Sequence, residues 1–337
     1  MKRFAAGMFL CLAATVCQQN PSTVRVERTV FLMGTFATFI AESHDRQTGL
    51  DRLDRMVQVV ENTEEELSTW RHDSVLSTLN RQPVETWLSL TNDTCGLLDQ
   101  VATWHRVTEG AFDPAVGRLI DVWALRGDGR WPDSETLAEA QALSGFHHVV
   151  VDPRRCLASR FADVTVDAGG FGKGAALDRV RIAEDGQPGA WLIDFGGQVA
   201  VSSVSAEGGW PVAVAHPEFR DVPVAELHLI EGSIATTGGS ERDVFIDTDT
   251  RIGHVIDPRT GMTVSRSSSV TVWHEDALAA DILSTALYVM GWDVGLEWAE
   301  KRNVAACFVI PSDGVSSSDA AVQLRPTRAF QRRFILP

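Results

Sequence analysis

The sequence predicts an α+β fold with mixed or antiparallel sheets and flanking helices. Runs rich in β-branched and aromatic residues follow one another through most of the chain, and helical periodicity is confined to four segments. This order does not form a regular βαβ array, which favours antiparallel pairing. With 337 residues, of which 44% are hydrophobic, the chain is long enough to bury a large core.

The first third of the chain predicts one strand and two helices. The run VFLMGTFATFI, from Val30 to Ile40, is read as a buried strand interrupted at Met33-Gly34-Thr35, where the glycine marks a bulge or a close backbone approach. Between Asp45 and Trp70, leucines and valines recur at three- and four-residue steps, which predicts a long amphipathic helix. A second helix is predicted from about Thr91 to Glu109, with Gly110 where a C-terminal cap would lie.

Strand-like runs dominate the rest of the chain. They are His148 to Asp152, Trp191 to Ser203, Trp210 to Ala215, Ala225 to Leu229, Asp243 to Ile256, Ser269 to Trp273 and Val304 to Ile310. Two helices interrupt them, one from Gly172 to Ala183 after a glycine-rich turn and one from Asp276 to Met290, with Gly291 beyond it.

The composition argues against nucleic-acid binding. Acidic residues outnumber basic ones by 45 to 30, so the net charge of −15 would repel phosphate backbones. The cysteines after position 20, namely Cys95, Cys156 and Cys307, are far apart and form no C-x-x-C pair, so we expect buried thiols.

Residues 1–20 are predicted to be a signal peptide. Lys2-Arg3 precede a short apolar run that extends to Cys17, and polar residues follow it. Two alternatives remain open: Cys17 is the acylated first residue of a lipoprotein, or the signal is simply cleaved and this cysteine is incidental. Both alternatives predict an exported protein, located in the periplasm or on the outer face of the cell membrane. Acylation of Cys17 would add a lipid anchor.

The segment from Asp167 to Asp178, DAGGFGKGAALD, passes from a strand end through glycines into a helix. Such a turn lets backbone N–H groups and the positive end of the helix dipole approach an anion, and Lys173 adds a charge. The alternative is a tight strand–helix connection without a ligand.

Asp281 and Thr285 are four residues apart, so their oxygens project from one face of a helix. A hard cation such as Mg²⁺ would accept that pair. The alternative is structural, with Asp281 in the first turn as a cap and Thr285 bonded back to a carbonyl.

Two turns carry further candidates. In the turn GHVIDPRTG, His254 is a candidate base or phosphate ligand, or else a structural residue, and Asp257 is a second candidate that alternatively pins the turn with Arg259. In the turn GAFDPAVG, Asp113 either caps the turn or holds a ligand hydroxyl.

Considered together, eight segments occur in the order and approximate spacing of one protein family. They are Met33-Gly34-Thr35, Ser68-Thr69-Trp70, Gly110 to Pro114, Asp167 to Gly174, Asp194 to Gly197, Ala235 to Gly238, His254 to Gly261 and Ala280 to Leu287. In these segments the chain resembles the ApbE family, the FAD:protein FMN transferases, and we expect the corresponding domain to span residues 24–330.

The resemblance implies a fold related to the T-fold and a Mg²⁺-dependent cleavage of FAD. FMN would pass to a threonine hydroxyl of an acceptor flavoprotein, typically a subunit of a membrane redox complex, and AMP would leave. By position, the FAD contacts would be Met33, Trp70, Ala111, Phe112, Asp113, Asp167, Lys173 and Val255. The magnesium ligands would be the Gly170 carbonyl and the side chains of Asp281 and Thr285. His254, Lys173 and Asp257 are the catalytic candidates.

The chain departs from the family pattern in three segments, and one position in each bears on the proposed site. Gly170 replaces an alanine, Trp70 replaces a frequent tyrosine, and Gly239 stands where an aspartate is usual in the Thr-Ser-Gly-Asp segment. Two other activities remain open on the sequence: a Mg²⁺-dependent FAD pyrophosphatase, in which water replaces the threonine, and an exported FAD-binding lipoprotein without turnover.

Overall fold

A computed structural model describes residues 23–202, 209–239, 243–245, 251–312 and 321–337. The strands in these ranges are β1 (Val24–Leu32), β2 (Thr35–Ser43), β3 (Leu88–Ser89), β4 (Val149–Asp152), β5 (Leu157–Arg160), β6 (Trp191–Phe195), β7 (Gln198–Val201), β8 (Trp210–Ala215), β9 (Pro223–Leu229), β10 (Gly232–Gly238), β11 (Val244–Phe245), β12 (Arg251–Ile252), β13 (Val255–Ile256), β14 (Thr263–Val264), β15 (Ser269–His274), β16 (Ala305–Pro311) and β17 (Val322–Pro326). The helices are α1 (Arg46–Leu67), α2 (Val75–Arg81), α3 (Asn92–Val107), α4 (Gly117–Val122), α5 (Ser134–Ala142), α6 (Gly172–Ala183), α7 (Ala277–Met290), α8 (Trp292–Lys301) and α9 (Arg328–Gln331).

Among the described residues, the main sheet has eight strands in the order β1-β2-β6-β7-β10-β15-β16-β17. Every neighbouring pair in it is antiparallel. Helices cover one face of this sheet, and the small hairpin of β8 and β9 packs on the other. The predicted α+β class, with antiparallel sheets and flanking helices, is confirmed.

The run from Val30 to Ile40 forms parts of two strands, so the prediction of one interrupted strand was wrong. Leu32 pairs with Thr35 across a two-residue turn. Met33 and Gly34 have φ angles of +47° and +76°. Positive φ at both central residues is the conformation of a type I′ turn, which matches the twist of a hairpin. The glycine therefore marks a chain reversal.

Two other predicted strands are also divided. The run that begins at Trp191 turns at Gly196 and Gly197, both at positive φ, and forms the hairpin of β6 and β7. The run from Asp243 to Ile256 contains β11, β12 and β13. Each of the four predicted helices is found within a few residues of its expected ends.

The helix α8 was not predicted, because Gly291 was read only as the end of the preceding helix. The Gly291 N–H donates to the Leu287 carbonyl, which ends α7, and the residue has a φ of +85°. The same glycine is the N-cap of α8, so one residue ends one helix and begins the next.

Alternation along the strands supplies two apolar faces. Phe39 and Ile193 belong to the cluster formed with α1 and α6, whereas their neighbours Ile40 and Leu192 belong to the cluster formed with β8 and β9. This is the two-residue period of a strand buried on both sides. The sheet is therefore a buried layer against which the helices that carry the site pack.

The helix α7 packs against β10, β15 and α6, and every one of its residues is buried except Thr285, which is partly exposed. A helix that is apolar on all sides normally belongs to a core. Asp281 is buried within it, so this carboxylate needs polar partners. The position of α7 thus places one acid and one hydroxyl where the core meets a cleft.

A buried ion pair joins α1 to the end of α6. The Arg52 Nε lies 2.6 Å from the Glu184 Oε2, and the two side chains are 3% and 1% exposed. Arg52 also donates to the Pro188 carbonyl at 3.1 Å. The attraction between the two charges offsets the free-energy cost of removing each of them from water. Loss of one partner therefore leaves an uncompensated buried charge.

We therefore expect Glu184→Ala to lower the free energy of unfolding by about 3–5 kcal/mol, measured by urea denaturation. The control is Asp54→Ala, which removes the exposed ion pair with Arg28 and should cost less than about 1 kcal/mol. Equal losses in the two variants would contradict a special role for the buried pair.

The predicted thiols are free cysteines among the described residues. Cys95 and Cys307 are buried, as predicted, whereas Cys156 is only partly buried. The predicted signal peptide, with Cys17, lies outside the described residues, so both alternatives for that cysteine stay predictions. Within the described ranges, none of the helices combines the length and the apolar character that a membrane span requires.

Candidate active site

A cleft of about 970 Å³ opens beside the helices α6 and α7 and beside two hairpin turns, the one between β1 and β2 and the one between β6 and β7. All the predicted site residues line this cleft except Asp257. They are Met33, Trp70, Ala111, Phe112, Asp113, Asp167, Gly170, Lys173, His254, Val255, Asp281 and Thr285. The volume falls within the ~300–1,000 Å³ that is usual for a pocket that holds a cofactor-sized molecule.

The glycine-rich turn ends at the N-terminus of α6, beside the cleft. Lys173 is in the first turn of this helix, and its Nζ lies 2.9 Å from the Gly196 carbonyl in the β6–β7 turn. The N-cap residue Phe171 has no side-chain hydrogen bond to the helix. Backbone amides and a lysine therefore adjoin the cleft together, an arrangement that favours a phosphate.

Gly174 lets α6 and α7 approach closely. A Cβ at this position would lie 2.6 Å from the Ala277 carbonyl oxygen and 2.7 Å from the Leu278 Cα. The close approach brings the Gly174 N–H within 3.0 Å of the Asp281 Oδ2, to which it donates. The glycine after Lys173 thus has a packing role that also positions the buried carboxylate.

Asp281 does not cap its own helix, although its carboxylate accepts from the Gly174 N–H in the first turn of α6. The helix begins four residues earlier, and Asp178 accepts from the Ala277 and Leu278 N–H groups at 2.8 and 2.9 Å. Asp281 lines the cleft instead, one helical turn from Thr285.

Gly170 packs beside the same pair. A Cβ at Gly170 would lie 3.7 Å from the Thr285 Cγ2 and 3.3 Å from the Phe112 ring. Gly170 is not at positive φ, so its backbone conformation is one that alanine also adopts. One carboxylate, one hydroxyl and nearby carbonyl groups suit a hard cation that also binds substrate phosphates.

No cluster of three or more His, Cys, Asp or Glu side chains with metal-binding geometry occurs among the described residues. The Asp281–Thr285 pair, with Gly170 beside it, suits a hard cation whose remaining ligands are water and phosphate.

Trp70 and Asp167 line the cleft together with Arg126, which the sequence analysis missed. The Arg126 Nη2 lies 2.6 Å from the Asp167 Oδ2, and its guanidinium carbon lies 5.5 Å from the centre of the Trp70 ring. Trp70 is 75% exposed, so its face is accessible to a planar ligand. The Asp167 Oδ1 also accepts the Gly169 N–H at 2.7 Å.

Asp113 lines the cleft, but its carboxylate is engaged by the protein. It accepts from the Ala115 N–H at 2.8 Å and the Phe146 N–H at 3.0 Å, and the His105 Nδ1 lies 3.3 Å away. Burial raises the pKa of this carboxyl, against the opposing effect of His105 and the two amides. These contacts favour the capping alternative for the side chain.

Asp257 is not among the described residues that line the cleft. Its carboxylate accepts from the Arg259 backbone N–H at 3.0 Å and from the Arg259 guanidinium at 2.9 Å. The geometry therefore favours the alternative in which this pair pins the turn, and His254 is the better placed of the two candidate bases.

The residues that sequence reasoning missed carry no local signal. Arg126 belongs to no motif, and it meets Asp167 across 41 positions. Arg220, which also lines the cleft, lies in the connection between β8 and β9, and burial lowers the pKa of its guanidinium. Asp243, which binds His254, precedes it by 11 residues. Only the folded chain brings these groups to the site.

Comparisons with known proteins identify the family of this chain. The sequence model of the ApbE family matches residues 33–308. A FAD:protein FMN transferase of Haemophilus influenzae is 26% identical over 97% of this chain and 100% of its own length. One of Klebsiella pneumoniae is 30% identical over 72% of each chain.

Solved structures share the fold. The ApbE protein of Thermotoga maritima has a TM-score of 0.82 and 26% identity, and the match covers 92% of this chain and 99% of that one. The apo form of the flavinyl transferase ApbE of Pseudomonas stutzeri has a TM-score of 0.80 and 24% identity, and the match covers 93% of this chain and 97% of that one. Since the family match spans most of the chain and the fold is shared throughout, this protein belongs to the ApbE family.

Proposed function

We propose that this protein transfers FMN from FAD to a threonine hydroxyl of an acceptor flavoprotein and releases AMP. One observation carries the proposal: a single cleft is lined by an aromatic face, a lysine at a helix N-terminus, a carboxylate–hydroxyl pair and a histidine. These groups are what cleavage of a flavin dinucleotide at its pyrophosphate requires. The names of the relatives in Haemophilus and Klebsiella support the same reaction.

In this proposal, the chain's own residues bind and orient the substrate. Lys173 and the first amides of α6 adjoin the pyrophosphate and stabilise negative charge that develops on the leaving AMP. Trp70 provides an exposed ring for stacking on the flavin or the adenine. His254 accepts the proton of the attacking hydroxyl.

We further propose Mg²⁺ as the cation held by the Gly170 carbonyl, Asp281 and Thr285. When bound, it would supply positive charge that offsets the charge of the phosphoryl oxygens. The donor set supports this assignment, since Mg²⁺ prefers one or two carboxylates, neutral oxygens and substrate phosphates.

The partner and the location are also proposals. The acceptor would be a flavoprotein subunit of a membrane redox complex, and the enzyme would act in the periplasm or on the outer face of the cell membrane. The N-terminal apolar run supports export, and Cys17 would supply the lipid anchor if it is acylated. Neither proposal affects the chemistry assigned to the cleft.

The direct test incubates the purified protein with FAD, Mg²⁺ and a peptide that carries an Asp-x-x-Ser/Thr-Gly/Ala-Thr segment. We expect AMP in solution and a peptide whose mass increases by one FMN residue. Free FMN with an unmodified peptide would identify a pyrophosphatase, and intact FAD would identify a binding protein. Either of the last two results would overturn the transferase proposal.

We expect Trp70→Ala to weaken FAD binding by about tenfold, because the exposed aromatic face is lost, whereas Trp70→Phe should retain most of the affinity. Titration of flavin fluorescence measures both dissociation constants. Trp292→Ala is the matched control, since that tryptophan is also exposed but lies at the start of α8, away from the cleft. An unchanged affinity in Trp70→Ala would exclude stacking on this ring.

A further inference from the structure

His254 is held by a carboxylate that belongs to none of the motifs. The Asp243 Oδ1 accepts from the His254 backbone N–H at 3.0 Å and lies 2.8 Å from the ring Nδ1. An ionised carboxylate has only acceptors, so the ring nitrogen that faces it must carry the hydrogen. In the neutral ring, the other nitrogen, Nε2, then carries no hydrogen and can accept one. His254 itself lines the cleft.

Asp243 is a buried and ionised partner. Its side chain is 2% exposed, and its Oδ2 accepts from the Arg251 Nε at 2.5 Å. Burial raises the pKa of the Asp243 carboxyl, but the hydrogen bonds from His254 and Arg251 outweigh burial and hold the pKa below its ordinary value. The carboxylate therefore keeps its charge at neutral pH.

The other ionisable groups near Asp243 are compatible with that charge. Burial and the negative charge of Asp243 raise the pKa of the Tyr288 hydroxyl to about 12, so this phenol is neutral. Arg251 and Arg266 supply positive charge beside the same hydroxyl.

Gly239 makes room for this arrangement. A Cβ at Gly239 would lie 2.2 Å from the Arg251 Nη2 and 3.0 Å from the Asp243 Oδ2. A side chain at this position would require the end of the Arg251 side chain to move. Gly239, which stands where the family usually has an aspartate, thus leaves room for the guanidinium beside the carboxylate.

We infer that Asp243 is a positioning residue for the proposed transfer, on which this inference rests. It holds the His254 ring in the tautomer with the hydrogen on Nδ1, orients the ring, and stabilises the imidazolium that forms when Nε2 takes a proton. A buried carboxylate that fixes a histidine in this way is a recurring device in acyl- and phosphoryl-transfer sites.

In the transfer step, the hydroxyl oxygen of the acceptor forms a bond to the phosphorus on the FMN side of FAD. The bond from that phosphorus to the bridging oxygen breaks, and AMP leaves with this oxygen and the electron pair. The hydroxyl proton goes to the His254 Nε2. Atoms and charge balance without an oxidant or a reductant.

The first test needs no activity. Long-range ¹H–¹⁵N spectra of the full-length protein labelled with [¹⁵N]histidine, at a pH where the imidazole is neutral, report which ring nitrogen carries the hydrogen. His254→Gln assigns the signals among the nine histidines. We expect Nδ1–H in the wild type and a shift to Nε2–H in Asp243→Asn, whose amide can donate to Nδ1. Nε2–H in the wild type would overturn the inference.

The second test measures AMP release and FAD affinity. We expect Asp243→Asn to slow AMP release by about 100-fold or more, with the dissociation constant of FAD changed less than about twofold. Asp152→Asn is the control, because it changes a carboxylate that accepts from local backbone amides in the turn after β4 and does not line the cleft. A normal rate in a folded Asp243→Asn variant would contradict the inference.

The two proposals fail in different ways. If the wild type forms neither AMP nor a peptide adduct, the proposed function is wrong, whereas the histidine spectrum still tests the role of Asp243. If the wild type is active but carries the hydrogen on Nε2, the proposed function survives and the positioning role does not.

Discussion

We expect Asp281→Ala to reduce AMP release from FAD by about 10³-fold or more, even in saturating Mg²⁺, because the proposed cation site loses its charged ligand. Asp281 is 6% exposed, and its carboxylate accepts from the Gly174 N–H at 3.0 Å. Initial rates across a Mg²⁺ titration, with AMP measured by chromatography, give the result.

Two variants separate charge from structure. Asp281→Asn keeps an oxygen that can accept the Gly174 N–H but removes the charge, so it should be nearly as inactive as Asp281→Ala. Asp178→Asn removes a charge that caps the same helix from outside the cleft, and its rate should stay within about threefold of the wild type. Near-normal turnover of Asp281→Ala would exclude the metal assignment.

We expect His254→Ala to slow transfer by about 10²–10⁴-fold while the affinity for FAD changes little, because the ring takes up the proton of the acceptor hydroxyl and does not hold the dinucleotide. A flavin titration beside the transfer assay separates the two effects. His228→Ala is the matched control, since that imidazole is 61% exposed on β9 and lies outside the cleft.

The opposite pattern would contradict this role. If His254→Ala weakens FAD binding as much as it slows transfer, the histidine is a substrate contact and not a proton acceptor. If His254→Ala changes neither the FAD affinity nor the transfer rate by much, His254 is a structural residue, which is the alternative that its sequence context also allows.

Local structure could be predicted well where its physical causes lie within a few residues. Asp45 and Thr91 cap α1 and α3, and both helices begin where periodicity and capping chemistry place them. The helix after the glycine-rich turn runs from Gly172 to Ala183, as predicted. The hairpin at Met33 and Gly34 was missed because a bulge and a chain reversal share the same glycine signal.

The candidate site was predictable only through the order of its motifs. Spacing alone left two alternatives for Asp281, and the cap alternative is removed by Asp178, which belongs to another helix. For Asp113 and Asp257, the contacts with backbone amides, His105 and Arg259 favour the structural alternatives. These outcomes depend on neighbours that the linear sequence does not indicate.

Composition, periodicity and capping residues were sufficient to specify the α+β class and the main helices, and the order of the eight motif segments indicated the family. They could not specify the partners of the functional groups. Arg126 meets Asp167, Asp243 meets His254 and Gly174 meets Asp281 through packing of separate elements, up to 107 residues apart. Capping and periodicity act between residues a few positions apart, whereas desolvation and hydrogen bonding in a cleft depend on which surfaces the folded core brings together.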